Sequence, residues 1–302
     1  MKKTVVVGSI NRDYTFKLDH LPEMGETILS RETYVSTGGK GANQATALAK
    51  LGADVTMIGA VGDDDSGKQV IHSLKDYGIH NEYILVKPGV QTGSAYICVD
   101  KYAHNTIVVN PGANAVMKPA DVAQLQDKIM GADYCLMQLE IDPEVVECVA
   151  RICRENNVKV VLNPAPAVEN LPEDLLQNVD YLIPNETELE ILTGRKVNPE
   201  TVTEAGNILI GKGVKALIVT MGEHGSYYID SKRNFFVPAV KTKAVDTTAA
   251  GDSYIGALLS GLSRDKDIEE AMKFASAVAS ITVSRQGAAD SIPFLKEIEQ
   301  DR

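Results

Sequence analysis

The 302-residue chain has no excess of basic charge: 30 Lys and Arg stand against 41 Asp and Glu, a net charge of −11. Nucleic-acid and anionic-membrane binders need a basic face, so neither is expected as a partner. A small anionic ligand remains open, because backbone amides bind phosphate without side-chain charge. No apolar run nears the ~18–20 residues that cross a bilayer. The opening MKKTVVVGSI is too short for a secretory apolar region and is interrupted by Asn11, Arg12 and Asp13. A CxxC pair is missing. Cys98, Cys135, Cys148 and Cys153 sit among apolar neighbours and read as reduced core thiols of a cytoplasmic protein. The five histidines are scattered, with no HExxH or Cys/His cluster, so no zinc site is expected. There is no internal repeat and no low-complexity linker.

What is present is an ordinary globular composition, 44% hydrophobic and 24% charged, in a regular alternation of elements. Short β-branched runs at 4–7, 55–58, 134–137, 158–162, 181–183 and 217–220 read as buried strands. Helical patterns at 41–51, 66–77, 119–130, 143–156, 186–192 and 203–211 lie between them, and two more follow at 250–262 and 268–283. This rhythm predicts an α/β fold with a mostly parallel sheet covered on both faces. Residues 12–36 and 92–110 break it. Both are strand-like, and Tyr14, Phe16 and Leu18 alternate with polar residues. They read as a small inserted sheet, either a lid or a set of ordinary hairpins.

Two glycine-rich or small-residue clusters open helices. In Gly38-Gly39-Lys40-Gly41-Ala42-Asn43-Gln44-Ala45, adjacent glycines let backbone amides approach a ligand. It is not a Walker A loop, since Gly41 follows Lys40 where Ser or Thr must hold Mg²⁺. In Asp246-Thr-Thr-Ala249-Ala250-Gly251-Asp252, small residues at a helix start form an anion nest beside a carboxylate. That pairing suits phosphoryl transfer: the carboxylate takes a hydroxyl proton while the amides hold phosphoryl oxygens. Asp252 as a plain helix cap is the bland reading. A dinucleotide fold fails, because a GxGxxG after the first strand would need glycines at Ile10 and Asp13.

Together these motifs resemble the ribokinase/phosphofructokinase B family of carbohydrate kinases. NPAPA (163–167), PNETE (184–188) and TMGEHG (220–225) fall in the family's order, and VNPGANA (109–115) is similar to a lid segment. The resemblance runs from about residue 5 to 293. It implies a single kinase domain of three α/β/α layers with a small β-sheet lid. It also implies ATP-dependent phosphorylation of D-ribose at O5. Family alternatives are 2-deoxyribose, a ketose, a sugar acid or a nucleoside; outside catalysis, the alternative is a sugar-sensing module. An intact Asp252 beside a small-residue nest argues against the module.

Residue by residue, the resemblance implies Asp252 as base and Ala249, Ala250 and Gly251 as anion hole. It implies Asn11, Asp13, Gly39, Lys40, Asn43 and Glu140, with Asp252, around the sugar. Asn185, Thr220, Gly222, Gly225, Gly251 and Ser276 would meet ATP. Asn185 and Glu188 would organise Mg²⁺ through water, and Asp246, Thr248, Thr282, Arg285, Gly287 and Ser291 would surround K⁺, largely through carbonyls. Tyr254 departs from the usual Phe, Ile255 from an often polar residue, and Ser276 from a possible histidine against adenine. A homodimer clasped through the lid is expected, with Tyr14, Phe16 and Leu18 as the apolar line. On the residues' own chemistry, Asn11 and Asp13 lie two apart on a strand and share a side. They offer a donor and acceptors to neighbouring hydroxyls, such as the 2- and 3-hydroxyls of ribose.

Overall fold

Strand β1 (Lys3–Val7) shows why the centre of the sheet needs no polar alternation. Val5 and Val7 enter one core and Val6 the other, each at most 1% exposed. The computed structural model describes residues 1–102 and 104–300; Ala103, within the second stretch read as lid, lies outside the described residues. After β1 the chain forms β2 (Asn11–Lys17) and β3 (Glu32–Gly38), then α1 (Lys40–Lys50), β4 (Asp54–Gly62), α2 (Asp65–Asp76) and β5 (His80–Lys87). A second excursion forms β6 (Gly93–Val99) and β7 (Asn105–Asn110) before α3 (Ala113–Val116), α4 (Pro119–Ala123) and α5 (Gln126–Met130). Then come β8 (Tyr134–Gln138), α6 (Pro143–Glu155), β9 (Lys159–Asn163), α7 (Glu173–Leu176), β10 (Tyr181–Leu182), α8 (Glu186–Thr193), α9 (Val202–Gly211) and β11 (Ala216–Thr220). The chain continues through a hairpin, β12 (Ser226–Asp230) and β13 (Asn234–Val237), and three helices, α10 (Ala250–Ser263), α11 (Ile268–Val283) and α12 (Leu295–Gln300).

The main sheet has the order β13-β12-β11-β10-β9-β8-β1-β4-β5. It is parallel from β11 to β5, and the β12–β13 hairpin extends it antiparallel. One core packs its apolar side chains under α6, α8 and α9, the other under α1, α10 and α11. This is the mostly parallel α/β architecture that the alternation implied. The winding reverses between β1 and β8, and open α/β sheets bind ligands outside the carboxyl ends of strands at such a point.

The two irregular stretches form a separate four-stranded sheet, β3-β2-β6-β7. Its register puts Asn11 and Asp13 on one face and Tyr14 and Phe16 on the other. Tyr14 stacks on Tyr96 with ring centroids 5.4 Å apart, and its hydroxyl lies 3.3 Å from Ser66 on α2. The expected apolar line is therefore half-buried at Tyr14 and Phe16 and buried at Leu18. The exposed apolar residues of this sheet are instead Tyr34, Val35, Tyr96, Ile107, Val108 and Val109.

Two other expectations need correction, and three strands lie outside the expected set. The helix read at 119–130 is two helices, because the Leu125 and Lys128 amides bond three residues back and tighten the turn. Strands β5, β12 and β13 had no strong pattern, since each lies at or next to a sheet edge with polar residues interleaved. Of the four free thiols, only Cys135 and Cys153 are fully in the core; Cys98 and Cys148 are partly exposed. No helix among the described residues is long and apolar enough to cross a membrane.

Candidate active site

Helix α10 starts at Ala250, after Ala249 in the left-handed region at φ 59°. For a residue with a Cβ this costs roughly 1–2 kcal/mol, a strain typical of functional turns. Asp252 follows in the first turn and is only 9% exposed. Its Oδ2 accepts a hydrogen bond from Asn43 Nδ2 at 3.1 Å, and its Oδ1 accepts one from Gln44 Nε2 at 2.9 Å. Both donors lie on α1, which packs closely on α10: a Cβ at Gly256 would stand 2.4 Å from that of Ala47. Burial raises the pKa of Asp252; Lys40 and the two amide donors oppose that rise without cancelling it.

Gln44 stands in the first glycine-rich motif with no role assigned to it from the sequence, and its orientation follows from a backbone carbonyl. Ile183 O can only accept, and it takes Asn163 Nδ2 at 3.0 Å. Asn163 Oδ1 therefore faces Gln44 Nε2, 3.1 Å away, while Gln44 Oε1 accepts from Gln138 Nε2 at 2.6 Å. The Gln44 N–H groups are thus turned toward Asp252.

A cavity of about 220 Å³ opens beside Asp252 at the carboxyl ends of the strands. Its walls include Lys40, Asn185, Glu188, Thr220, Thr247 and the run from Ala249 to Asp252. Ile255 and Asn163 also border it. Burial pulls the Lys40 ammonium toward neutrality, but Asp252, Glu140 and Glu188 outweigh it and raise its pKa. The first amides of α10 lack intrahelical acceptors; that of Ala250 is engaged by Thr247 O at 3.2 Å. Asn185 and Glu188 form a capping box: Asn185 Oδ1 accepts from Glu188 N at 2.7 Å, and Glu188 Oε2 from Asn185 N at 2.9 Å. One Glu188 oxygen remains outside that box. A larger cleft of about 680 Å³ lies at α6 and α7, and none of the motif residues borders it.

The residues expected around a sugar gather next to this cavity. Glu140 Oε2 accepts from Ser9 Oγ at 2.5 Å and from Lys40 N at 3.0 Å. Asp13 Oδ1 is buried with no partner among the described residues. Burial, reinforced by the negative charges of Glu140 and Asp252, pushes Asp13 up to about 7. Gly38 makes room for that side chain, since a Cβ there would fall 1.9 Å from Asp13 Oδ2. Gly39 takes φ +85°, which favours glycine, where a Cβ would meet Asn11 N at 2.9 Å.

The remaining residues lie apart from the cavity. Gly222 opens a single 3₁₀ turn after β11, and Gly225 closes it. Ser276 is 7% exposed and donates to Pro238 O at 3.2 Å, so its hydroxyl is engaged in packing. Tyr254 is buried and donates to Ser226 Oγ at 2.7 Å, which makes it a satisfied core residue. The six residues expected around a monovalent cation do meet in one corner. Asp246 Oδ1 accepts from Thr248 N at 2.9 Å and Thr248 Oγ1 at 2.7 Å, and Oδ2 from Gly287 N at 3.1 Å. Ser291 Oγ donates to Ala288 O, Thr282 Oγ1 to Val278 O, and Arg285 pairs with Glu297. Both Asp246 oxygens are thereby engaged, so this carboxylate ties two loops together. Among the described residues no group of three His, Cys, Asp or Glu forms a divalent-metal cage.

The model of the pfkB family of carbohydrate kinases matches residues 1–295. The chain is 38% identical to a ribokinase from Staphylococcus aureus, with 99% of each chain covered. It is 35% identical to a deoxyribokinase from Salmonella typhi, over 98% of this chain and 97% of that one. An Arabidopsis thaliana ribokinase solved with ribose and ATP is 32% identical, has a TM-score of 0.91 and covers 99% of this chain and 98% of its own.

Proposed function

The chain belongs to the pfkB family of carbohydrate kinases, and on that premise we propose that it phosphorylates D-ribose at O5 with ATP, giving ribose 5-phosphate and ADP. The observation that carries this reading is Asp252: a buried carboxylate with both oxygens held by amides, at the start of α10, facing a cavity that also holds Lys40. As general base, Asp252 accepts the proton of the attacking hydroxyl, and burial makes it a better acceptor than a solvated aspartate. The Lys40 ammonium and the Ala249, Ala250 and Gly251 amides face the transferring phosphoryl oxygens, where preorganised donors stabilise developing charge. Ala250 releases Thr247 O to do so. Asn11, Asp13, Gly39, Asn43 and Glu140 surround the sugar; Asn185, Thr220, Gly222 and Gly225 flank the nucleotide. Ser276 contributes packing there through Pro238.

The donor set fits a divalent ion that arrives with the nucleotide. Mg²⁺ is held by one or two carboxylates, water and substrate phosphates, and the Glu188 oxygen outside the capping box, next to Asn185, would hold it through water. When bound, the ion neutralises phosphate charge. The Asp246 corner suits K⁺ at carbonyl oxygens beside the anion hole. The small sheet acts as lid over the sugar, and its exposed apolar residues Tyr34, Val35, Ile107 and Val109 clasp a second copy.

The deciding experiment is ADP release with MgATP across ribose, 2-deoxyribose, ketoses, sugar acids and nucleosides, in K⁺ and in Na⁺. Ribose should lead, and the rate should fall in Na⁺; no turnover with any of these acceptors would overturn the reading. The similarity to a deoxyribokinase makes 2-deoxyribose the second reading. Light scattering tests the clasp, with a mass near the 32.5 kDa monomer at micromolar concentration counting against it.

A further inference from the structure

Asn114 on α3 is 2% exposed and lies where the body and the small sheet are joined. The chain leaves the body at Ile10, between β1 and β2, and returns between β7 and α3. Asn114 Oδ1 accepts from Ile10 N at 2.9 Å, and Asn114 Nδ2 donates to Ile10 O at 3.1 Å and to Asn11 Oδ1 at 2.8 Å. The corner has no spare room. A Cβ at Gly93 would fall 2.3 Å from both Asn11 Oδ1 and Asn114 Nδ2, and one at Gly112 2.4 Å from Gln91 O.

The direction of these bonds leaves no choice. A backbone N–H only donates, so Ile10 N sets the Asn114 oxygen toward itself and turns the Asn114 amide nitrogen to the other side. Asn11 must then present its own oxygen to Asn114. That leaves Asn11 Nδ2 free; it has no acceptor among the described residues. An isolated asparagine presents donor or acceptor equally well, whereas this one presents only a donor. Asp13 lies on the same face of β2 with an unpartnered oxygen.

We propose that Asn114 is a specificity-determining positioning residue: by fixing the Asn11 amide it makes the sugar subsite a donor at Asn11 beside an acceptor at Asp13. The subsite takes a pair of neighbouring hydroxyls, one accepting from Asn11 and one donating to Asp13. This rests on the sugar-kinase reading above. A residue that merely packed the joint between the sheets would disturb sugar and nucleotide binding alike. One that orients Asn11 affects the sugar alone.

The test is calorimetric binding of ribose and, separately, of MgATP to the wild type, Asn114→Asp and Asn11→Asp. In Asn114→Asp one oxygen still accepts from Ile10 N; the other leaves Ile10 O without its donor and faces Asn11, driving its amide to flip and turning an acceptor to the sugar. Asn11→Asp places an acceptor there directly. Both variants should therefore raise the ribose Kd by a similar factor, roughly ten- to hundredfold, with the MgATP Kd within about twofold of wild type. Wild-type ribose affinity in Asn114→Asp, or parallel weakening of ribose and MgATP, overturns the assignment. Should Asn114→Asp not fold, Asn114→Ala frees the amide to both orientations and should raise the ribose Kd alone by a smaller factor; an unchanged ribose Kd overturns the proposal equally. Failure of the wild type to bind ribose would instead defeat the choice of ribose as acceptor.

Discussion

Asp252 and Asp13 are each no more than 9% exposed and lie near enough for the Asp252 charge to act on Asp13, yet the fold treats them differently. Each Asp252 oxygen receives an amide N–H, and the chain of donors behind one of them starts from a backbone carbonyl in the body. Asp13, on the small sheet, keeps an oxygen without a partner and is raised to about 7. A side chain that must do chemistry in one geometry is held before substrate arrives. One that must recognise hydroxyls is left unsatisfied, and burying an unpaired polar atom costs on the order of 1–3 kcal/mol until a ligand pairs it. The body thus fixes the proposed reaction machinery, and the small sheet leaves a polar group of the proposed sugar subsite unpaired.

The sharpest way to break this contrast is Asp252→Asn. The amide preserves the shape but cannot accept the proton, so kcat should fall ~10²–10⁴-fold while ribose binding changes little. Steady-state rates with a separate ribose titration check it, and near-wild-type turnover would remove Asp252 as base.

Asp13→Asn probes the other side. A carboxyl raised from 3.8 to about 7 by folding contributes stability that is full below pH ~4 and is lost as pH rises through 7. Ligand-free wild type should therefore lose on the order of 2–3 kcal/mol from this group between pH 5 and pH 8. Urea unfolding at both pH values should show Asp13→Asn with a flatter dependence by about that amount. Equal slopes would mean that Asp13 is not desolvated. Ribose affinity of the wild type should rise over the same interval, as the carboxyl ionises and becomes a full acceptor.

Gln44→Leu is the mildest of the three. It removes one donor to Asp252, which lets burial raise that carboxyl further. We expect kcat to fall about tenfold, with the acid limb of its pH profile moved upward and the MgATP KM unchanged. A profile that stays in place with full kcat would reduce Gln44 to packing.

Much of this was legible in the residue order. Val5 to Val7 could only be a strand buried on both faces, and the two small-residue clusters could only mark close backbone approach at helix starts. Asp252 stood out because a carboxylate inside an amide nest has few structural explanations. Asn11 and Asp13 declared a shared face through their spacing. The partners behind these residues were not legible. Gln44 sits beside Asn43 in the same motif, and nothing in its context pairs it with Asn163, 119 positions later, or Gln138, 94 positions later. Asn114 lies in a segment that resembles a lid motif, yet its partner is the first strand crossing, 104 positions earlier. Tyr14 and Phe16 read as a free apolar line, but the Tyr96 ring lies across Tyr14 only because β2 pairs with β6.

Local sequence by itself determined which segments must be buried, where the backbone must turn or admit a ligand, and which chemical groups stand at those turns. These follow from periodicity, from steric freedom at glycine and from side-chain chemistry, which need no partner to be expressed. Only the tertiary structure decided which way each amide faces and whether each carboxylate is paired. Those choices propagate from single backbone groups, Ile183 O for Asp252 and Ile10 N for Asn11, that come within hydrogen-bonding distance only once the sheets are assembled.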